Sequence, residues 1–158
     1  MESSKKHILS SAAKILKENM LLTLATTNSN HPCSCTAFYA FDKNFNIYIW
    51  TSPDTLHGRN MENNEKVAVS IFSSAQKWGS MLRGVQIIGR AEKIGDNELE
   101  KAGNLYLKRF PKAKKYAKNP KDFHDPKFEG RFYKIQPHEI KVLDEKTFGK
   151  ENYQSIKL

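Results

Sequence analysis

Residues 47–61 read Ile-Tyr-Ile-Trp-Thr-Ser-Pro-Asp-Thr-Leu-His-Gly-Arg-Asn-Met. Ile47, Tyr48, Ile49 and Trp50 are β-branched or aromatic, which favours a half-buried strand. Ser52-Pro53-Asp54-Thr55 predicts the start of a helix, with Ser52 as N-cap, Pro53 at the first helical position and Asp54 in the first turn. A strand that runs into a helix N-terminus aims unpaired amides outward at the positive end of the helix dipole. With Thr51, Ser52, Thr55, His57 and Arg59 around it, the stretch predicts a pocket for one phosphate. The competing reading is an ordinary cap, in which Ser52 satisfies the free amides and Pro53 removes a donor.

Outward from this stretch the hydrophobic period changes several times. Ile8, Ala12, Ile15, Leu16 and Met20 recur at helical spacing and predict an amphipathic helix over residues 4–19. Met20–Thr27, Cys33–Phe41 and Phe45–Thr51 read as three strands joined by the turn clusters Asn28–Pro32 and Asp42–Asn44. Short turns between adjacent strands imply an antiparallel meander. Beyond the helix at 53–63, Lys66–Phe72 is a fourth strand and Met81–Ile94 the longest one. Gly84 and Gly89 inside the latter mark bulges or close approaches. A helix follows over Glu98–Phe110, Pro111 interrupts it, and a Lys-rich continuation runs to Lys118. Phe128–Ile135 and Glu139–Leu143 read as closing strands on either side of a break at Pro137. The tail from Lys146 is expected to be loose unless a partner subunit holds it. The pattern predicts one domain over 1–158, mainly β with helices (α+β), built as a six- to seven-stranded antiparallel barrel.

Composition excludes several classes. Nine Phe, six Tyr and two Trp in 158 residues rule out a disordered chain. No run approaches the roughly 18 apolar residues of a membrane span, and no secretory leader is evident at the N-terminus, so a cytoplasmic location is expected. Cys33 and Cys35 are poorly spaced for a relaxed disulfide, and no second ligand pair has zinc-type spacing. No metal site is expected. The net charge of +9 is concentrated late: residues 101–158 hold fifteen Lys or Arg against seven Asp or Glu.

The order of these pieces resembles the pyridoxamine 5'-phosphate oxidase-like FMN-binding split barrels, and within them a small bacterial branch. The resemblance is carried by Ala37-Phe38-Tyr39-Ala40-Phe41-Asp42, Thr51-x-x-x-Thr55-x-His57, Arg83-Gly84-Val85-Gln86-Ile87-Ile88-Gly89 and Tyr106-Leu107-Lys108-Arg109-Phe110-Pro111. It implies a homodimer with FMN in a cleft between two barrels. The FMN phosphate would meet Thr51, Ser52, Thr55 and His57, Thr36–Phe38 would run along the ring edge, and Arg83 and Gln86 would contact the ring or the partner subunit. Leu56 stands where the oxidases place an Arg, His57 where they place a Lys, and Gly84 where they have a Gln.

The resemblance therefore implies an FMN-dependent oxidoreductase whose substrate the sequence does not name, with the cofactor carrying the hydride chemistry. The alternative is a non-enzymatic module that holds haem, another planar ligand or nothing, with His7, His31, His57, His124 and His138 as the available imidazoles. A third reading takes Arg109, Lys112, Lys114, Lys115, Lys118 and Lys121, with Phe110 and Tyr116 to stack, as a nucleic-acid surface. Charge runs of this kind are usually solvated faces, which makes nucleic acid the least favoured partner.

Overall fold

The computed structural model describes residues 2–158. Helix α1 (Glu2–Glu18) leads into strands β1 (Leu21–Asn28), β2 (His31–Phe41) and β3 (Ile47–Thr51), followed by α2 (Leu56–Asn63) and β4 (Lys66–Phe72). Then come β5 (Arg83–Lys93), α3 (Asp96–Arg109), two 3-10 turns (Pro111–Lys115 and Pro120–His124), β6 (Arg131–Asp144), α4 (Glu145–Phe148) and β7 (Tyr153–Lys157). The antiparallel order is β3-β2-β1-β4-β5-β6-β7, and β3 also pairs with β6. Six strands thus close into a barrel and β7 adds a seventh outside it, as the sequence pattern predicts.

Strand alternation fills the barrel. Leu22, Leu24, Ile47, Ile49, Val69, Ile71, Val85, Ile87, Ile140 and Val142 all point inward and are buried. The apolar stripe of α1, Ile8, Ala12, Ile15 and Leu16, packs into the same core. Met61 of α2 joins it, and the neighbouring Asn60 amide donates to Thr26 Oγ1 at 3.1 Å. A second core lies on the barrel's outer surface. There Ala40, Tyr48 and Phe132 are covered by Leu99, Ala102, Tyr106 and Leu107 of α3 and by Phe123. Trp50 closes its edge, donating from Nε1 to the Phe123 carbonyl at 3.3 Å.

Three expectations are corrected. The N-cap of α2 is Thr55, not Ser52: the Thr55 hydroxyl accepts from Gly58 N, and Ser52–Thr55 forms a turn ahead of the helix. The closing strands are one strand, β6, because the break at Pro137 is absorbed by a register shift opposite Gly89. Pro137 lacks an amide to pair, and a Cβ on Gly89 would collide with the Gln136 carbonyl oxygen, so glycine is required at that crossing. As the sequence predicts, Pro111 interrupts the helix, and the Lys-rich continuation forms the 3-10 turn Pro111–Lys115. The tail is ordered: α4 and β7 fold back, and Tyr153–Lys157 pairs with Glu139–Leu143.

Candidate functional site

Thr51 ends β3, and its Oγ1 lies 2.8 Å from His57 Nε2 on the first turn of α2. Burial lowers the proton affinity of His57, so its imidazole is neutral near pH 7. The Thr55 hydroxyl is fully used, donating to the Ser52 carbonyl at 2.7 Å and accepting from Gly58 N at 3.1 Å. Gly58 lets the helix sit tightly on its own turn, since a Cβ there would come 2.6 Å from the Ser52 and Pro53 carbonyl oxygens. Arg59 donates from Nη1 to the Asp54 carbonyl, and no carboxylate among the described residues pairs with its exposed guanidinium. Free to donate are the Ser52 hydroxyl, which accepts from Asp54 N at 3.2 Å, and the amides of Leu56 and His57, which meet no acceptor among the described residues.

Strand pairing brings one further residue to this end. Arg131 of β6 lies directly opposite Thr51. Its Nη1 donates to the Phe128 and Gly130 carbonyls, both at 2.6 Å, and no carboxylate among the described residues pairs with it. Arg131 thus keeps its full positive charge, and the histidine that feels it is His124, whose proton affinity burial and the Arg131 charge lower against the pull of Asp96. No local motif in the sequence marks Arg131, because the strand pairing spans eighty residues.

Thr36 and Phe38 lie on the outward side of β2, and their register partners extend across the sheet. Thr36 faces Thr23, Thr23 faces Ser70, Ser70 faces Gln86, Gln86 faces Lys141, and Lys141 faces Ser155. This row of polar side chains crosses six strands. On one side it is flanked by Phe38 and Leu21 and by Phe72, Gly84, Leu143 and Tyr153. On the other lie Ser34, Ala25, Ala68, Ile88 and Glu139. Phe38, Phe72, Leu21, Ile88 and Tyr153 are all 44–53% exposed, which is unusual for large apolar side chains gathered on one face.

The predicted site residues therefore fall into two groups within one chain. Thr36, Phe38, Thr51, Ser52, Thr55 and His57 lie around β2, β3 and the start of α2. Gln86 lies three strands from Thr36, about 14 Å away at normal strand spacing. Arg83 alternates to the other side of β5, where its guanidinium is held by Glu18 at 2.7 Å and Asp144 at 3.2 Å.

The remaining candidates are accounted for locally except His124, whose Nδ1 lies 3.6 Å from Asp96 while its Nε2 is buried without a partner among the described residues. Burial and the neighbouring Cys33 push the Cys35 thiol up to about 11. His31 Nδ1 lies against the Ser29 carbonyl, His7 packs on Phe148, and His138 occupies the β6 bulge. Arg109 points inward onto Tyr39, whereas Tyr116 is 70% exposed and Phe110 packs on Tyr106 and Phe38. The basic segment thus does not present its aromatics as one stacking platform.

No helix among the described residues is long and apolar enough to cross a membrane. A UPF0306 protein of Pasteurella multocida is 36% identical over 92 residues, which is 58% of this chain and 61% of that protein. The chain therefore spans less than two thirds of that relative. Among solved structures, a heme binding protein from Mycobacterium smegmatis superposes with TM-score 0.72 at 20% identity, over 93% of this chain and 58% of that one. General Stress Protein 26 from Bacillus anthracis gives 0.67 at 19%, covering 96% and 99%. Residues 9–144 match the pyridoxamine 5'-phosphate oxidase family, and the chain belongs to it.

Proposed function

We propose that two copies of this chain pair through the outer face of the sheet and hold FMN in the cleft between them as the cofactor of an oxidoreductase. The observation that carries the reading is the polar row from Thr36 to Ser155, set between large exposed apolar side chains. Its core is poor in charge, as the centres of protein interfaces are. Pairing about a two-fold axis also answers the 14 Å gap, since Gln86 of one copy can approach Thr36 and Phe38 of the other.

The residues fit a phosphate at the head of α2. The Ser52 hydroxyl and the Leu56 and His57 amides supply directed donors, and Arg59 of α2 and Arg131, the register partner of Thr51, supply the charge that Leu56 and neutral His57 do not. Thr51 holds the His57 ring in place, and an anion beside that ring raises its proton affinity. When bound, the flavin supplies hydride transfer. The chain's part is to fix the phosphate at one end, lay the ring against Thr36 and Phe38, and exclude water by closing two faces together.

Titrating purified protein with FMN while recording the visible spectrum tests this reading. The expected result is a shifted flavin band near ~450 nm and quenched flavin fluorescence. A protein that leaves added FMN unperturbed, or is purified with a haem band near ~400 nm, overturns it. Light scattering should give a dimer, and Ser70→Glu, at the centre of the row, should give monomers.

A further inference from the structure

At the β4–β7 end of the outer face a cavity of about 190 Å³ opens between Phe72, Leu82, Leu143 and Tyr153. That is smaller than the roughly 300–1,000 Å³ of most ligand pockets, and suits a single ring. Its polar lining residues are Ser70, Gln76, Arg83, Gln86, Lys141 and Tyr153, of which Arg83 has its guanidinium paired with Glu18 and Asp144. Gln76 is already committed, bonding to the Ser73 carbonyl and to both backbone groups of Arg83. Gln86 and Lys141 are cross-strand partners, and their side chains meet no hydrogen-bond or ion-pair partner among the described residues.

The Lys141 ammonium is nonetheless held in position. Its Nζ sits 4.2 Å from the centre of the Tyr153 ring. A cation–π contact fixes an ammonium without neutralising it, so its charge stays available to an anion. Lys141 is also the one charged member of the polar row. Covering an unpaired ammonium with a second copy is strongly unfavourable unless an anion accompanies it.

We propose that this cavity takes a single-ring aromatic carboxylate, with its ring between Phe72, Leu143 and Tyr153 and its carboxylate on Lys141 Nζ and the Gln86 amide. The cavity adjoins the trough over β1 and β4 through Ser70 and Phe72. If the cofactor reading above holds, the carboxylate is therefore the ligand on the substrate side of the flavin; the inference rests on that reading for this role only.

The test is an NMR titration of the full chain with benzoate and with benzamide, its neutral isostere. Benzoate should bind at least about tenfold tighter, the value of one charge-assisted hydrogen bond. Lys141→Gln should reduce benzoate to the benzamide level and leave benzamide unchanged, with the thermal midpoint retained. Tyr153→Leu should weaken benzoate, and Tyr153→Phe should restore it. Equal binding of the two probes, binding of neither, or a preference that survives Lys141→Gln overturns the proposal. So does a Lys141→Gln protein that dissociates into monomers with benzoate affinity intact, which would pair Lys141 with a carboxylate of the second copy. A chain that prefers benzoate through Lys141 but ignores FMN sinks the cofactor reading alone. One that binds FMN without that preference sinks the cavity alone.

Discussion

Arg109 ties the α3 insertion to the first helix, and replacing it should cost more than its partly exposed position implies. Its Nη2 donates to the Leu16 carbonyl at 2.7 Å and the Asn19 carbonyl at 2.6 Å, at the negative end of α1. The guanidinium also lies over Tyr39 at 4.8 Å and Phe41 at 5.4 Å. Two charge-assisted bonds contribute about 3–6 kcal/mol at most. Two offsets reduce that figure. The Tyr39 hydroxyl lies 2.8 Å from each of the same carbonyls and would keep one of them satisfied. Arg109 Nε is buried without a partner, and removing it relieves about 1–3 kcal/mol. Arg109→Met, which keeps the packing volume, should therefore lose about 2–4 kcal/mol. For a domain of this size that is a fall of about 5–15 °C in Tm. Arg109→Lys keeps a charge at the helix end but cannot bridge two carbonyls while stacking, and should lose about 1–2 kcal/mol. Urea unfolding at one fixed protomer concentration measures both. A Met variant within about 0.5 kcal/mol of the parent, or a Lys variant worse than Met, would refute the reasoning.

Gly89→Ala forces a methyl group onto the Gln136 carbonyl oxygen, so it should lower stability by about 1–3 kcal/mol, read from a thermal melt, while Gly149→Ala, with open space around it, should act only through its positive φ. Arg131→Gln should weaken FMN by about tenfold and riboflavin much less, since the two differ only in the phosphate; equal losses would remove Arg131 from the phosphate site. Burial pushes the Asp42 carboxyl up, but bonds from Lys101, Asn46 and Asn44 outweigh it and hold the group below its usual value. The resulting stability is present above the unfolded carboxylate pKa and is lost as pH falls through the depressed one. Lys101→Met should therefore move acid unfolding to higher pH, and an unchanged midpoint would show that Lys101 does not hold the carboxylate.

The order of helices and strands is legible in the chain because each element carries its own period: the 3.6-residue stripe of α1, the alternation of β1 and β5, and the β-branched run of β3. The boundaries that shifted are those where a distant segment decides. Ser52 and Thr55 are equally good caps on local chemistry, and what selects Thr55 is the close seat of Gly58 on the Ser52–Pro53 carbonyls. Pro137 looks like a break until a glycine on β5 is found opposite it. The tail shows only a weak alternation, and the edge of β6 supplies the partner that turns it into a strand. The same distinction holds for the site. The Thr51–His57 stretch is visible as a local sequence, whereas the row from Thr36 to Ser155 and the charge of Arg131 exist only through register. No spacing rule within one segment can disclose them.

β6 changes partners along its length: residues 131–135 pair with β3, and residues 139–143 pair with β7 on that same side. Where β3 leaves, the main-chain donors and acceptors of Glu139–Leu143 would face solvent as an open sheet margin, and the final segment of the chain lies over them as a guard. Clipping the chain before Tyr153 should leave the closed barrel folded but bare a sticky seam, on which extended segments of other chains could add. The tail's contribution is then to colloidal behaviour: a shortened protein that melts near the parent temperature yet aggregates on standing.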